Sequence, residues 1–470
     1  KVMVDFDERR NNIRHAILAI AESEQADLEI DENLLDEVTS LVEWPVALKG
    51  RFDADFLTVP PEVLISAMKE HQRYFHLTSK ETDSLLPVFI TVSNIESTDP
   101  EVVISGNERV IRPRLSDAAF FFSQDTKTSL DDKAELLSSV VFQTELGSYG
   151  DKALRISKLA AFIAKNIGAD ESAAGRAAFL AKSDLVSDMV GEFPDLQGIM
   201  GGYYARHENL SDDVAKGIAQ HYRPIQSGGE LPDTPVASCV SLADKIDTLT
   251  GLFGIDQPPT GSRDPFALRR QSLGVIRICV ENRLSLDLAD CFEFSAQLFD
   301  RPFDTDPACA YVLERLHGYY GDQSITRDVV EAALAGGTTG MNLTIIDGVI
   351  KSIQAFRESP FAEQIVAANK RVANLLKKTD AEALPDFDPE LATEKAETEL
   401  HLELGKLELA DATDIQGKLQ RLARLQQPVD RFFDEVLVMS DDDRLKNNRL
   451  ALLAQLRQRF LEVADFSLLQ

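Results

Sequence analysis

Three short segments place one histidine and several aspartates in an order that can support metal chemistry. They are FLAKSDLVSDM (179–189), AQHYRPIQSGGELPDTP (219–235) and VSLADKIDTLTG (240–251). Histidines and aspartates on neighbouring helices can hold divalent ions that activate water for attack on phosphorus. A metal-dependent hydrolase of nucleotides or RNA is therefore the first functional hypothesis that these residues raise.

The order of these segments resembles that of the HD-domain phosphohydrolases, but two expected ligands differ. Ser183 stands where the resemblance places the histidine of the His-Asp pair, and Lys152 stands where another histidine would be expected. A lysine ammonium repels a nearby metal cation. We therefore expect a helical scaffold without a working metal centre, and an active phosphohydrolase stays the alternative. The degenerate HD positions are Asp151, Lys152, Ser183, Asp184, His221 and Asp244.

Other common catalytic signatures are absent from the sequence. The phosphate-binding patterns GxxxxGK[ST] and GxGxxG do not occur, and neither do the hydrolase patterns GxSxG and HExxH. Asp244 and Asp247 lie one helical turn apart, but salt bridges to neighbouring cations explain such a pair equally well. We assign no catalytic residue to this chain.

Two local islands are basic although the whole chain is acidic. The formal net charge of −29 opposes general nucleic-acid binding, because attraction to phosphate needs positive charge. Segment 106–115 nevertheless carries three arginines against one glutamate, and segment 259–283 carries five arginines. RNA contact and salt bridges between domains both remain open as roles for them. The candidates are Arg109, Arg112 and Arg114 in the first island, and Arg263, Arg269 and Arg270 in the second.

The stretch GNERVIRPRLSDAAFFFSQD (106–125) combines the first island with three phenylalanines. Pro113 is predicted to begin a helix, which leaves the three arginines in a preceding loop. Apolar residues then fall at i, i+3, i+4 and i+7, as on a buried helix face. This stripe contains Leu115, Ala118, Ala119 and Phe122. We interpret the arginines and the aromatic residues as two separate features, with Phe120 or Phe121 off the stripe.

Length and composition indicate a multidomain globular protein. A chain of 470 residues normally forms several domains, and a hydrophobic content of 44% is ordinary for such a chain. No apolar run approaches the roughly 18–20 residues that span a bilayer, so we expect no membrane insertion. The four cysteines are widely spaced and fit a reducing compartment. The sequence begins KVMVDF without an initiator methionine, and we expect a further N-terminal portion in the parent protein.

Hydrophobic periodicity divides the chain into one mixed region and a long helical remainder. PVALKG (45–50) and LLPVFITVSN (85–94) predict strands, and the pair Pro60-Pro61 predicts the start of a helix. The expected fold class is mainly α and multidomain, with a small α+β N-terminal portion. The predicted domains are a mixed region 1–140, an HD-like helical domain 141–285, a helical connecting region 286–358 and an all-helical domain 359–470.

The last helical pattern, DDDRLKNNRLALLAQLRQRF (441–460), separates leucines from basic residues. The leucines predict a stripe that faces the core, and the basic residues are expected nearer solvent. A solvated helix face is the ordinary explanation of such charges, and an RNA-binding face is the alternative. The basic residues expected nearer solvent are Arg444, Lys446, Arg449 and Arg457.

Several stretches together resemble the beta subunit of the bacterial-type, heterotetrameric glycyl-tRNA synthetase. They follow the family's order over almost the entire chain, which is similar to the C-terminal two-thirds of that subunit. The matching stretches are EVTSLVEWPVAL, HQRYF, SGNERVIRPRLSDAAFFF, MVGEFPDLQGIMGGYYA, LADKIDTLTGLFGI, PTGSRDPFALRRQSLGVIRI, ANKRVANLL and FFDEVLVM.

The resemblance implies a division of labour between two subunits. In this family the alpha subunit activates glycine with ATP and Mg²⁺, and the beta subunit binds tRNA(Gly). We therefore expect no cofactor in this chain, an alpha2beta2 assembly and a cytoplasmic location, or an organellar stroma or matrix if the source is eukaryotic. A non-catalytic adaptor that binds a protein and no RNA stays the second alternative.

The resemblance also favours RNA contact for the basic residues. It implies that domain 359–470 is an anticodon-binding domain, and unstacked anticodon bases can be read on their edges or by stacking. Basic side chains there could meet phosphates at the anticodon end. The expected tRNA-binding residues are Arg109, Arg112, Arg114, Arg263, Arg269, Arg270, Lys370, Arg371, Arg444, Lys446 and Arg449.

Overall fold

The computed structural model describes residues 2–336, 340–359, 362–377, 384–407 and 415–470. Helices dominate these residues, and two small sheets lie in the N-terminal third of the chain. The expected mainly α class with a small α+β N-terminal portion is confirmed. Within the ranges given above, no helix combines the length and the apolar character that a membrane crossing requires.

The chain divides into two compact units, and both are discontinuous in sequence. Each unit combines segments that are far apart along the chain, which hydrophobic periodicity does not reveal. The four predicted domain ranges stay predictions. The first unit contains Lys1–Lys158, Ser172–Tyr222 and Asp233–Ser241. The second unit contains Leu159–Glu171, Arg223–Pro232 and Leu242–Gln470.

A four-stranded antiparallel sheet forms the centre of the N-terminal region. Its strands are β1 (Ala26–Asp27), β2 (Val46–Arg51), β3 (Phe75–Ser79) and β4 (Leu85–Ser93). The spatial order is β1-β3-β4-β2, and every neighbouring pair is antiparallel. The predicted strands PVALKG and LLPVFITVSN correspond to β2 and β4, which form the longest ladder of the sheet.

Two helices, α1 (Phe6–Ser23) and α2 (Glu32–Leu41), pack against this sheet. Asp5 and Asp31 precede them as N-caps, because each carboxylate accepts hydrogen bonds from backbone N–H groups that the helix leaves unpaired. One side of each helix is apolar and therefore buried. The shared core contains Ile13, Ile17, Leu34, Leu35, Val38, Phe75, Leu77, Val88 and Ile90.

The next two helices are α3 (Pro61–Gln72), which begins at the predicted proline pair, and α4 (Pro100–Asp125). The prediction that Pro113 begins a helix is wrong, because α4 runs through it without a break. Pro113 faces solvent, where water can satisfy the carbonyl that loses its hydrogen bond. Burial of the opposite side holds the helix together. The buried residues of α4 are Ile111, Leu115, Ala118 and Asp125.

A short hairpin and seven helices, α5 to α11, follow α4. The hairpin strands are β5 (Val141–Gln143) and β6 (Gly147–Ser148). The helices are α5 (Leu130–Leu136), α6 (Tyr149–Ile167), α7 (Glu171–Leu180), α8 (Asp188–Glu192), α9 (Ile199–His207), α10 (Asp212–Gln220) and α11 (Pro235–Gly254), with α5 ahead of the hairpin. Short 3-10 helices occur at Ala54–Thr58, Leu137–Ser139, Ser183–Val186, Pro194–Leu196, Pro389–Leu391 and Phe466–Leu468.

Helices α12 to α21 belong to the second unit. They are α12 (Leu268–Glu281), α13 (Leu288–Ala296), α14 (Asp306–Gly321), α15 (Arg327–Leu334), α16 (Leu343–Arg357), α17 (Ala362–Leu376), α18 (Lys395–Gly405), α19 (Ile415–Ala423), α20 (Gln426–Glu435) and α21 (Asp443–Leu461). α12 packs against α14 and α16, while α17 and α18 both pack against α20 and α21. The predicted leucine stripe of α21 is buried, with Leu450, Leu452, Leu453 and Leu456 in the core.

Helices α9 and α10 approach each other closely at Gly201 and Gly202. A Cβ atom at Gly202 would lie 2.7 Å from the Cβ of Ala219, and one at Gly201 would lie 2.6 Å from Cγ2 of Ile218. Carbon atoms that are not bonded normally approach to about 3.5–4.0 Å. Only glycine at these two positions allows the helix pair to keep this separation.

We expect Gly202→Ala to destabilise the first unit, because the added methyl group meets the α10 backbone region and not a flexible side-chain tip. Overpacking of this kind costs about 1–3 kcal/mol. The matched control is Gly106→Ala on α4, where an added Cβ meets no atom within 4 Å. That change should raise stability by roughly 0.5–1 kcal/mol through helix propensity. Urea unfolding midpoints measure the stability changes of both variants. Equal shifts for Gly202→Ala and Gly106→Ala would contradict the close packing of α9 and α10.

Candidate nucleic-acid interface

The first predicted basic island lies on the surface of α4 and not in a loop. Arg109 and Arg112 are exposed, and neither forms an ion pair with any residue that the structure describes. Arg114 is also exposed, with its Nη1 atom 3.8 Å from a carboxylate oxygen of Glu192. The helix therefore presents all three guanidinium groups to solvent, and the expected loop is corrected to a helix surface.

One of the phenylalanines shares the solvent face of α4 with the arginines. Phe120 is 57% exposed and lies eleven residues, or about three helical turns, after Arg109. Phe122 instead packs inward and stacks on Tyr204 with 6.1 Å between ring centres. The prediction that Phe120 or Phe121 lies off the buried stripe is confirmed for Phe120. Phe120 and Arg109 share one side of the helix, and the interpretation of the arginines and aromatics as two separate features stays a prediction.

The second basic island is a turn that leads into α12. Asp264 organises it, because its two carboxylate oxygens accept hydrogen bonds from the backbone N–H groups of Leu268 and Arg269 at 2.8 and 3.0 Å. Arg269 is half-buried, and its guanidinium donates to the Gly261 carbonyl. Its neighbours Arg263 and Arg270 are exposed, with no ion pair among the described residues.

The C-terminal helices present a guanidinium that is stacked on an aromatic ring. Arg371 of α17 lies over Phe433 of α20, with 4.1 Å between the guanidinium carbon and the ring centre. Stacking holds the planar group in one orientation and leaves its edge donors available. Lys370 is exposed beside it. This surface can contact an anion or a flat base.

The start of α21 carries two further predicted residues. Asp442 caps the helix by accepting a hydrogen bond from the backbone N–H of Arg444 at 2.8 Å. The Arg444 side chain is exposed and forms no ion pair with a described residue, whereas Lys446 is half-buried and bonded to Asp443. Arg444 is therefore the freer cation of the two.

Arg449 lies in the core of the C-terminal helices, so its expected position near solvent is wrong. Its side chain is only 6% exposed, and its Nε atom lies 3.1 Å from Oε1 of the fully buried Glu397. The same guanidinium donates to the Leu437 carbonyl at 2.9 Å and to the Thr393 hydroxyl at 2.8 Å. This arginine joins α18, α21 and the loop after α20, and it presents no donor for RNA.

Glu397, the partner of Arg449, was not predicted from the sequence. Its side chain also accepts hydrogen bonds from the backbone N–H groups of Thr393 and Glu394, at 3.0 and 2.9 Å, in a capping box. Two sequence signals could have found it. A glutamate three residues after the N-cap is typical of a capping box, although the N-cap here is Glu394 in place of the usual Ser or Thr. Glu397 also falls three residues before Leu400 on the buried side of α18.

The first HD-like positions have structural roles in the first unit. Asp151 accepts hydrogen bonds from the backbone N–H and the hydroxyl of Ser148, at 2.8 and 2.7 Å, and these bonds lower the pKa of Asp151. Lys152 is 2% exposed, with its ammonium 4.7 Å from the ring centre of Phe142. The sequence position where the HD pattern expects a histidine therefore holds a buried ammonium against an aromatic ring.

The His-Asp position is a buried serine and a buried aspartate. Oδ2 of Asp184 accepts hydrogen bonds from the backbone N–H groups of Gly198 and Gly201, at 2.5 and 2.9 Å, at the start of α9. Burial raises the pKa of Asp184 to about 6 in spite of these bonds. Ser183 is also fully buried. Asp184 therefore fixes the N-terminus of α9 to the preceding turn.

The last two HD-like positions are His221 and Asp244. His221 is buried, and its Nδ1 atom carries the hydrogen because it lies 2.6 Å from the Ile218 carbonyl oxygen, which only accepts. The His221 ring also borders Gly198, so the structure brings it to the same turn as Asp184. Asp244 is buried in α11, in the part of that helix that belongs to the second unit.

Metal-ligating side chains do not converge in the part of the chain that the structure describes. No group of three or more His, Cys, Asp or Glu residues there has an arrangement that could hold a metal ion. Lys152 and Ser183 occupy positions where the HD pattern has histidines, and neither side chain is a suitable replacement. The absence of a metal site stays a prediction.

Two family models match this chain, and together they define its class of protein. Residues 365–464, which include most of α17 and all of α18 to α21, match the family model described as the DALR anticodon binding domain. Residues 1–335 match the model described as the glycyl-tRNA synthetase beta subunit. A chain with this pair of domains is a subunit of an aminoacyl-tRNA synthetase.

Similarity over the full length identifies the family. A glycine–tRNA ligase beta subunit from Marinobacter nauticus is 49% identical over 478 residues, which cover 100% of this chain and 68% of that relative. The proteins of the same name from Shewanella woodyi and Coxiella burnetii are each 46% identical, over 100% of this chain and 69% of each relative. The chain belongs to the glycyl-tRNA synthetase beta subunit family.

We expect Arg449→Met to destabilise the C-terminal helices by about 3–5 kcal/mol, because it leaves the Glu397 carboxylate buried without its cation. Adding Glu397→Gln should recover much of this loss, since glutamine keeps a capping oxygen and has no charge. Arg444→Met is the matched control on the exposed side of α21 and should change stability by less than about 0.5 kcal/mol. Thermal unfolding monitored by circular dichroism gives the three values, and equal effects of Arg449→Met and Arg444→Met would contradict the buried ion pair.

Asp184 should make stability depend on pH in a defined direction. Its pKa is higher in the folded chain, at about 6, than the ordinary value of 3.8, so the folded state binds more protons between these values. Stability therefore falls as pH rises through this range. The free energy of unfolding of Asp184→Asn, measured relative to that of the native chain, should therefore rise by about 1 kcal/mol from about pH 5 to about pH 7.5.

Asp151→Asn is the control for this pH effect. The pKa of Asp151 is lowered, so this carboxylate is ionised in both the folded and the unfolded chain above about pH 5. The stability difference between Asp151→Asn and the native chain should stay constant over the same range. Urea unfolding at each pH provides the comparison. A constant difference for Asp184→Asn as well would show that Asp184 does not titrate there.

Proposed function

We propose that this chain is the tRNA-binding beta subunit of glycine–tRNA ligase. The observation that carries the proposal is the 46–49% identity to proteins of that name over 100% of this chain. The match of residues 365–464 to an anticodon-binding domain supports it independently. In this role the chain binds tRNA(Gly) and positions it for ATP-dependent glycylation by a catalytic partner subunit.

The proposal includes a division of labour with an alpha subunit. That partner would bind ATP and Mg²⁺ and form glycyl-adenylate, and this chain would hold the tRNA while the glycyl group moves to the terminal ribose. An alpha2beta2 assembly and a cytoplasmic location complete the proposal, because both fit a bacterial-type enzyme of protein synthesis. The exposed guanidinium groups of α4 and the stacked guanidinium of Arg371 support a binding role. Asp151 and Asp184 instead accept hydrogen bonds at the starts of helices.

The residues proposed to contact tRNA are those that the structure leaves at the surface. Arg114 and Arg269 stay candidates although each already has an internal partner. Arg449 is withdrawn, because its guanidinium is bonded inside the C-terminal helices. The exposed or half-buried candidates are Arg109, Arg112, Arg263, Arg270, Lys370, Arg371, Arg444 and Lys446.

The acidic balance of the chain makes this binding local. A net charge of −29 repels phosphate at long range, so affinity must come from short-range contacts at the basic islands. The stacked guanidinium of Arg371 suits such a contact, because a base or a phosphate can bind it without first ordering a flexible side chain. Binding should therefore weaken strongly as salt concentration rises.

We expect the purified chain to bind tRNA(Gly) in a salt-dependent manner and to form no glycyl-adenylate by itself. The first measurement is filter binding across salt concentrations, and the second is ATP–pyrophosphate exchange with glycine and Mg²⁺. Addition of the catalytic alpha subunit should restore exchange and permit charging of the tRNA. The matched control is a tRNA of another amino acid at equal concentration.

Three outcomes would contradict the proposal in different ways. Exchange by the chain alone would place the adenylation site here. No binding of tRNA(Gly), by the chain or by its assembly with the alpha subunit, would favour the adaptor alternative. Hydrolysis of nucleotides or RNA with stoichiometric bound metal would revive the phosphohydrolase alternative.

A further inference from the structure

The solvent face of α4 combines unpaired cations, an exposed aromatic ring and small residues. We call it the α4 face. Exposed apolar side chains lie along it, including Val102 at 66% and Phe120 at 57% exposed. On helical spacing its members fall within one strip along the helix. They are Val102, Gly106, Arg109, Arg112, Pro113, Ser116 and Phe120.

The two arginines of the α4 face lack the acidic neighbours that paired surface arginines of this chain have. Arg277 pairs with Glu281 at 2.8 Å and Arg327 pairs with Glu331 at 2.7 Å, each four residues ahead on the same helix. Arg109 instead has Ser105, Gly106, Arg112 and Pro113 at the positions three and four residues away. Its nearest charged neighbour along the helix face is another cation, which is unfavourable for the isolated helix.

The one carboxylate placed to pair with Arg112 is used elsewhere. Glu108 lies four residues before Arg112, and its Oε1 atom accepts a hydrogen bond from the backbone N–H of Arg51 at 2.9 Å. This bond ties α4 to the end of β2 and directs the carboxylate toward the sheet. Arg109 and Arg112 thus stay unpaired although the chain has 78 acidic residues. An external anion could accept hydrogen bonds from both guanidinium groups.

The backbone of the α4 face is open to a close approach. Gly106 has no atom within 4 Å of the place where a Cβ would lie, so nothing shields that turn of the helix. Pro113 has no N–H, so the helix cannot supply the usual i+4 donor to the carbonyl of Arg109. An RNA strand offers both complements, since its phosphates accept from arginine and its 2′-hydroxyl can donate to a carbonyl.

We propose that the α4 face binds a strand of RNA, with Arg109 and Arg112 on its phosphates and Phe120 stacked on an unpaired base. The distance along the helix from Arg109 to Phe120 is about 16 Å, which several nucleotides can span. The inference rests on the proposed function, since tRNA(Gly) is the RNA that the assembled enzyme would present.

A protein partner fits this surface less well than RNA does. Aromatic residues and arginine are common in protein interfaces, so exposure of Phe120 alone does not choose between the two partners. Burial of two neighbouring guanidinium groups against a protein would need two carboxylates in matching positions. A phosphate backbone supplies negative charges in a regular row, and a stacked base tolerates any sequence.

The test uses this chain assembled with its catalytic alpha subunit and tRNA(Gly) as the probe. The double change Arg109→Gln and Arg112→Gln should reduce the slope of log Kd against log salt by about 1.4–1.8, which corresponds to two lost phosphate contacts. Phe120→Ala should weaken binding by about 5- to 100-fold with an unchanged salt slope, because stacking involves no counterion. Phe120→Trp should keep the affinity of the native enzyme.

A fourth variant tests the surface without removing any contact. Gly106→Glu places a carboxylate in open space about one helical turn before Arg109, so it should weaken tRNA binding while the unfolding midpoint stays high. The matched controls are Arg327→Gln and Leu136→Ala, which alter an arginine and a 54% exposed apolar residue away from α4. Neither control should change the Kd or its salt slope.

The outcomes separate this inference from the proposed function. If the native assembly does not bind tRNA(Gly), the proposed function fails. If it binds with a normal salt dependence and the α4 variants bind equally well, only the α4 inference is overturned. If these variants instead dissociate from the alpha subunit on gel filtration and still bind tRNA, the α4 face is a protein interface and the inference is wrong.

Discussion

The excess of carboxylates over cations is the constraint on which every binding surface of this protein depends. With 78 acidic and 49 basic residues, a cation on the surface normally has a carboxylate within reach. Pairs such as Arg277 with Glu281 stabilise a helix but present little positive charge outward. An anion as large as RNA can therefore bind only where the helical framework keeps carboxylates away from arginines.

A second group of charged side chains is buried and therefore cannot bind an external ligand. Arg449 and Glu397 satisfy each other inside the C-terminal helices, and Asp184 fixes the N-terminus of α9 through two backbone N–H groups. Each is costly to bury and stays because hydrogen bonds from several directions compensate the lost hydration. Charges of this kind specify one packing of the helices, and they contribute nothing to an external ligand.

The fold was largely predictable from the sequence, and the site was not. Strong periodicity located β2, β4 and the leucine stripe of α21, because burial of one face leaves a regular apolar pattern. The same pattern placed Arg449 near solvent, since a single-helix view does not include a partner 52 residues away in sequence. The division into two discontinuous units was equally invisible, because it depends on contacts between distant segments.

Pro113 explains why the α4 face in particular was misread. A proline within a helical pattern usually marks a boundary, and this rule turned an exposed helix surface into a loop beside a core stripe. The helix continues because Ile111, Leu115 and Ala118 are buried on the opposite side. The proline is tolerated only where it faces solvent, and that is also where a ligand can reach Arg109. The residue that hid the surface from sequence reasoning thus marks the side of α4 that is open to a partner.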